Sequence, residues 1–334
     1  MKDLKQTLDE YVKQTKFNGA VLVSVDGEIV LEQGYGYANI EHGIKNTPDT
    51  VFRIASITKQ FTAASVMKLV EEGKVDLSWT IDRYFPEYRH GKKITVHHLM
   101  SNSAGIPNFN LYMDFYEILK SEQILMELIN LVKDEDLLFK PGTEFYYSIS
   151  GYLMLQHIIE KESGISFEAF LKKNFFDVLG MNSTGLEEPK RVIMNKAYGY
   201  KPVSNGFEVS DYVDMRIAGG GGGIYSTIKD LHLWNMSLLR SKILKSKSTD
   251  LIFTGHVKAD QVNSYGYGMI IAKGDFYGSN RIRFYHTGGG SGVRSLNTYY
   301  PEEGVEMIFI SNIEDRDTFN AVTDKVQEMT LKNI

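Results

Sequence analysis

Apolar residues recur at helical spacing at the start of the chain. Leu4, Leu8, Tyr11 and Val12 share a face, which predicts an amphipathic helix over residues 3–16. The pattern then changes period. GAVLVSVDGEIVLEQGYGYAN reads as two strands around Asp26-Gly27, a dipeptide suited to a tight hairpin turn. TVFRIAS is a short extended run leading to Ser56, and from there to Glu72 the pattern is helical until Gly73 stops it. Helical patterns dominate residues 75–190, among them SEQILMELINLVK and SGYLMLQHIIEKESG, with breakers such as NSAGIPN and KPGTEF between them. After AGGGGGIYST comes the helical IKDLHLWNMSLLR. The last third returns to strands in YGYGMIIAKG, RIRFYHTGGGSG and RSLNTYYPEEGVEMIFISN, and a final helix follows from about Thr318.

This order predicts an α+β fold. The two strand-rich ends pair in one antiparallel sheet flanked by the terminal helices, and the helical middle forms a second lobe. The sheet lobe covers about 1–75 and 190–334, the helical lobe about 76–189, and together they make one unit, 1–334. A cleft between lobes is a common place for a site.

Composition narrows the function. The chain has 334 residues, 43% hydrophobic and 24% charged, so a packed core is expected. Net charge is -5 and no block of Lys and Arg occurs, which speaks against nucleic acid as a partner. Without cysteine there is no disulfide, thiolate metal site or Cys nucleophile. His97-His98 is not part of an HExxH motif, so no metal site is predicted. The Gly219–Gly223 run lacks the Gly-Lys-Ser/Thr ending of a phosphate loop, and no cofactor is expected. No apolar run approaches the roughly 18 residues of a transmembrane segment. The charged N-terminus lacks an apolar leader core, so the expectation is a cytoplasmic protein, or an exported one whose signal peptide this sequence does not include. The sequence does not specify an oligomeric state.

S-x-x-K occurs three times, at Ser56–Lys59, Ser65–Lys68 and Ser226–Lys229. Ser65 lies inside a helix, where its hydroxyl bonds back to a carbonyl one turn earlier. Ser226 precedes a helix and reads as its N-cap. Ser56 stands where an extended run becomes a helix, near free N–H groups that favour negative charge. Lys59, one turn on, shares its face, and a lysine drawn out of water can take a serine proton. A cap beside a solvated lysine fits these residues equally well.

Two further stretches bear on the choice. In KPGTEFYYSISGYLMLQ, Tyr147 stands at a loop-to-helix junction; a phenol beside an ammonium ionises more easily and can act as base and acid. In FYHTGGGSG, residues 284–292, glycines follow a His-Thr pair, so that substrate backbone can come close; an edge strand running into a turn is the other reading.

Taken together, in this order and separation, the segments resemble the serine β-lactamase and penicillin-binding-protein superfamily. The branch of class C β-lactamases, D-alanyl-D-alanine carboxypeptidases, D-aminopeptidases and family VIII esterases is the most similar. The resemblance runs from GAVLVSVDGEIVLEQGYGYAN through FRIASITKQFTAASVMKLVEEGKVDL, HHLMSNSAGI, PGTEFYYSISGYLMLQHIIE, GGGIYST and HTGGGSGV to YYPEEGVEMIFISN, nearly the whole chain. It implies a β-lactamase/transpeptidase-like fold and a serine hydrolase with Ser56 as the acylated nucleophile and Lys59 as its activator. Tyr147 would serve the leaving group and the deacylating water. His286 would be catalytic too, Thr287, Gly288 and Ile149 would bind substrate along the wall of the site, and the N–H groups of Ser56 and Gly289 would form the oxyanion hole. The glycine run would be a loop near the cleft. Substrates would be small molecules or peptidoglycan-like.

Two positions depart from the family pattern. Tyr-x-Asn reads Tyr147-Ser148-Ile149 here. Ile149 cannot bond the amide of a β-lactam or peptide, and an unpaired buried amide costs about 1–3 kcal/mol. That favours an ester with an apolar acyl group over a β-lactam or D-amino-acid peptide. His286 stands where relatives often carry lysine, which weakens recognition of a free carboxylate. The alternative is a catalytically weak or inactive penicillin-binding-like sensor that keeps the fold.

Overall fold

In the computed structural model, which describes residues 2–111 and 124–334, the chain first reverses at Asp26 and Gly27. Their φ angles of 53° and 84° are both left-handed, as a two-residue hairpin turn requires. The turn joins β1 (Gly19–Val25) to β2 (Glu28–Tyr35), after helix α1 (Lys2–Gln14). Two short strands follow, β3 (Tyr37–Asn39) and β4 (Ile44–Lys45), and then β5 (Phe52–Arg53) leads to α2 (Thr58–Glu71). The helical region includes α3 (Val96–Met100), α4 (Ile124–Asn130) and α5 (Ile149–Ser163). The first three residues of the SEQILMELINLVK pattern lie outside the described residues.

The chain returns through β6 (Gly185–Leu186), the hairpin β7 (Tyr200–Val203) and β8 (Gly206–Val209), the helical turn α6 (Gly219–Gly222), β9 (Ile224–Ser226) and α7 (Ile228–Leu239). Six strands remain: β10 (Val257–Lys258), β11 (Asn263–Tyr265), β12 (Ile270–Phe276), β13 (Ser279–Gly290), β14 (Val293–Tyr300) and β15 (Val305–Ser311). Helix α8 (Arg316–Leu331) ends the fold, capped by Asp315.

An eight-stranded antiparallel sheet runs β10-β11-β12-β13-β14-β15-β1-β2. The two ends of the chain meet in it, with Gly19 opposite Ser311 and Val25 opposite Val305. Alternate residues of β1 face opposite layers. Val21 and Val23 pack with α1 and α8 through Leu8, Val12 and Val322. Ala20 and Leu22 join the larger core with Phe61, Trp234 and the helical region. Both faces are covered, which is why GAVLVSV is an apolar run rather than an alternating one.

Helix α2 is buried nearly all round, and Phe61 stacks on Trp234 with centroids 4.0 Å apart. Ser65 Oγ donates to Phe61 O at 2.8 Å, the expected fate of a helical serine. Ser226 differs from its expected capping part. It ends β9 and shares a hydrogen bond with Thr184, while Thr227 is the cap and accepts from Asp230 N. The strand runs one residue further than the sequence pattern suggested. The glycine run is also not a loop, because Gly219–Gly222 form a buried helical turn against α5 and α2.

Candidate active site

Strand β5 pairs with β9, Phe52 opposite Ser226 and Arg53 opposite Tyr225, and the chain then tightens into a 3-10 turn, Ala55–Ile57. Ala55 has φ 48°, left-handed for a residue with a Cβ, which costs about 1–2 kcal/mol. Neighbouring bonds hold it there. Ile54 N donates to Ile224 O at 3.0 Å, and Ser295 Oγ donates to Ile54 O at 2.9 Å. This strained turn presents the half-buried Ser56 to the cleft.

Lys59 is fully buried. Its Nζ donates to Gly221 O at 2.6 Å and stands 3.3 Å from Ser56 Oγ. It also lies over the Tyr147 ring, 4.7 Å from the centroid. Burial pulls its pKa down to about 7. A neutral amine at this distance can accept the serine proton while keeping its bond to the Gly221 carbonyl.

Tyr147 precedes α5, whose N-cap is Ser148. Two asparagines fix its backbone. Asn102 accepts at Oδ1 from Ser148 N at 3.1 Å and at its carbonyl from Tyr146 N at 2.9 Å. Asn108 accepts from Ile149 N at 2.7 Å and donates to Tyr147 O at 3.0 Å. Burial raises the pKa of the Tyr147 hydroxyl above the usual phenol value and outweighs Ser56, the polar neighbour that lowers it. This runs opposite to the expectation that Lys59 would ionise it. A lysine with a pKa near 7 is only about half charged at neutral pH, and desolvation wins.

Strand β13 forms the other wall and is interior, between β12 and β14. His286 is buried; its Nδ1 lies 2.7 Å from Thr287 O, so Nδ1 donates, and Nε2, 3.2 Å from the Tyr265 hydroxyl, accepts. Burial, with Lys59 nearby, lowers its pKa to about 3, and the ring is neutral. Thr287 is exposed to the cleft. A Cβ on Gly288 would stand 2.2 Å from Ser295 Oγ and 2.5 Å from Ile54 O. The missing side chain therefore admits the protein's own Ile54, where the sequence suggested a substrate.

Two cavities meet at the serine. One, of about 200 Å³, is walled by Phe109, Ile149, Val213, Met215, Ile217 and Val293. The other, of about 680 Å³, is lined by Tyr147, Tyr265, His286, Thr287 and more polar side chains. Ser56 and Gly289 border both. Among the described residues no group of three or more His, Asp or Glu is arranged to hold a metal ion, and no helix is long and apolar enough to cross a membrane.

Comparison with known proteins places this arrangement. The Beta-lactamase family model matches residues 4–328. The chain belongs to the beta-lactamase family. Similar members include penicillin-binding protein 4* of Bacillus subtilis (strain 168), 28% identical over 346 residues, covering 98% of this chain and 75% of the relative. Teichoic acid D-alanine hydrolase of Staphylococcus aureus is 25% identical over 264 residues, covering 78% and 64%. The crystal structure of D-amino acid amidase from Ochrobactrum anthropi SV3 with D-phenylalanine aligns with TM-score 0.86 at 25% identity, covering 99% of this chain and 98% of that one. The penicillin binding protein from Bacillus halodurans aligns with TM-score 0.82 at 25% identity, covering 97% and 99%. The superfamily and the mixed fold with an antiparallel sheet are those expected, and at the level of class this beta-lactamase-family chain is a serine hydrolase.

The structure brings together every site residue picked from the sequence of this beta-lactamase-family chain: Ser56, Lys59, Tyr147, Ile149, His286, Thr287, Gly288 and Gly289. Asn102, Asn108, Tyr265 and the carbonyl of Gly221 were missed. NSAGIPN read only as a breaker, although an Asn-rich turn beside a helix start is where side chains cap and clasp backbone.

Proposed function

We propose that the chain cleaves esters of apolar acyl groups through an acyl-enzyme on Ser56, with the two lobes acting as one catalytic unit. The observation that carries this is Lys59 Nζ, 3.3 Å from Ser56 Oγ with a pKa near 7. Ser56 Oγ attacks the carbonyl carbon as Lys59 takes its proton. The carbonyl oxygen becomes an oxyanion, to which the N–H groups of Ser56 and Gly289 donate; each such donor is worth about 10²–10³ in rate. The bond to the alkoxy oxygen breaks, and the proton on Lys59 passes to the leaving alcohol through the Tyr147 hydroxyl. Water then attacks the acyl carbon, returns a proton along the same pair, and releases the acid and free Ser56. Tyr147, kept protonated by burial, relays the proton, and Lys59 is the base.

The apolar cavity takes the acyl group and the polar one the alcohol. Thr287 faces the alcohol side. His286 positions β13, since both its nitrogens are engaged. Ile149 stands where an amide-binding asparagine would favour β-lactams or peptides. Relatives named for D-alanine or D-amino acid amides would bring an ammonium beside the carbonyl, yet no carboxylate is among the described residues that wall the apolar cavity. Both facts support an acyl group that carries no ammonium and no amide beside the carbonyl.

The test is intact-protein mass after incubation with p-nitrophenyl butyrate and, separately, benzylpenicillin, for wild type and Ser56→Ala. We expect a Ser56-dependent acyl adduct and turnover with the ester. An adduct that survives Ser56→Ala sinks the assignment, and no adduct with either reagent favours a non-catalytic ligand-binding protein.

A further inference from the structure

Behind the apolar cavity lies another, of about 430 Å³, bordered by Glu187, Glu188, Lys196, Tyr198, Ser210 and Tyr212. The two share a wall of Arg53, Val213, Met215, Ser291 and Val293. Two features of that wall suggest a passage. Met215 is half-buried, unbranched and turns about three side-chain bonds, so it can swing aside. Arg53 is held rigid from behind. Its Nε and Nη2 donate to the two oxygens of Glu187 at 2.9 and 2.7 Å, and Nη2 also reaches Val213 O at 3.3 Å. Lys196 donates to the same carboxylate at 2.6 Å, so two cations share one anion. The Arg53 Nη1 hydrogens have no partner among the described residues, and Arg53 borders both cavities.

The geometry points to an extended acyl site, and this rests on the hydrolase reading above. The acyl group begins apolar at Ser56 and fills a space of about 200 Å³. That is room for a group somewhat larger than a benzene ring, which fits a cavity of about 150 Å³. It then passes Met215 and ends in a hydrogen-bond acceptor, an amide carbonyl or a carboxylate, that Arg53 binds at the entrance to the second cavity. The substrate class is thus a long acyl ester with an acceptor at its far end. A short alkanoate would leave Arg53 and the second cavity unused.

The experiment compares kcat/KM for four p-nitrophenyl esters: butyrate, octanoate, N-acetyl-6-aminohexanoate and the monoester of suberic acid. In wild type we expect the two acceptor-ended esters to exceed octanoate by about tenfold, the scale of one satisfied polar contact. The amide and acid arms tell which acceptor is preferred. Met215→Trp, which fills the passage, should cut the ratio of long to short esters about tenfold, and Met215→Ala should raise it. Arg53→Lys keeps the charge but not the fork, and should abolish the preference for an acceptor end. Turnover that is fastest with butyrate and falls steadily with length, or Met215 variants that change all four esters in proportion, overturns the extended site while leaving the hydrolase reading intact. No turnover of any ester overturns both.

Discussion

The carbonyl oxygen of Ile54 occupies the room that a side chain on Gly288 would need, 2.5 Å from where its Cβ would stand. Strand β13 therefore touches the turn that carries Ser56 directly. Gly288→Ala must push the strand or the turn aside by about 1 Å, and a shift of that size costs about 10²-fold in rate. We expect kcat/KM to fall by about that factor, with about 1–3 kcal/mol of stability lost to overpacking. Ester kinetics and thermal melting check both. An unchanged kcat/KM would show that the contact does not align Ser56.

On the proposed mechanism, Lys59 sets the acid limb of the pH profile. Its folded pKa is lowered from 10.5 to about 7 by burial, so the neutral form needed to take the serine proton prevails above pH 7 and disappears below it. The acylation rate should rise with pH to a plateau, with an apparent pKa near 7. The pre-steady-state burst of p-nitrophenol measured from pH 5 to 9 reads it. A flat profile across that range would take the base role away from Lys59.

Asn108 holds Tyr147 by its carbonyl and Ile149 by its amide with one side chain. Asn108→Ala removes both bonds and loosens the phenol next to Ser56. We expect kcat to fall about 10–100-fold with KM within about threefold, because positioning is lost while the substrate walls remain. A change in KM alone would assign Asn108 to binding.

Ile149→Asn restores an amide partner at the mouth of the apolar cavity. The ratio of amide or cephalosporin turnover to ester turnover should rise about 10-fold or more, the scale of one recovered buried hydrogen bond. An unchanged ratio would place the choice of substrate elsewhere in the cleft.

Much of this architecture is legible in the order of residues. The Asp26-Gly27 hairpin, the buried α2 and the strand-rich C-terminal third follow from local period and turn chemistry. The chemistry-bearing side chains could be picked only through the family resemblance of several segments in order, since S-x-x-K alone occurs three times. What escaped depends on contacts across the chain. Asn102 and Asn108 act on a loop some forty residues away, and the Asn-rich turn that carries them does not show which backbone they clasp. The partner of Lys59 is a backbone carbonyl, which has no letter in the sequence. The strand end at Ser226 was misread because β9 gains its last rung from Phe52, far back in the chain. The pKa of Tyr147 depends on the balance between burial and a neighbour's charge, which only packing decides.

The pairing of β1 with β15 has a bearing on how the molecule is made. Each rung between them closes a loop of almost the entire chain, an entropic step that no local contact can repay in advance. On the ribosome, Ser56 and Lys59 emerge early, but the strands that buttress them come last. On the proposed mechanism, the nascent polypeptide therefore carries its nucleophile for most of its synthesis without the wall that makes it reactive, and activity is expected only once β15 docks beside β1.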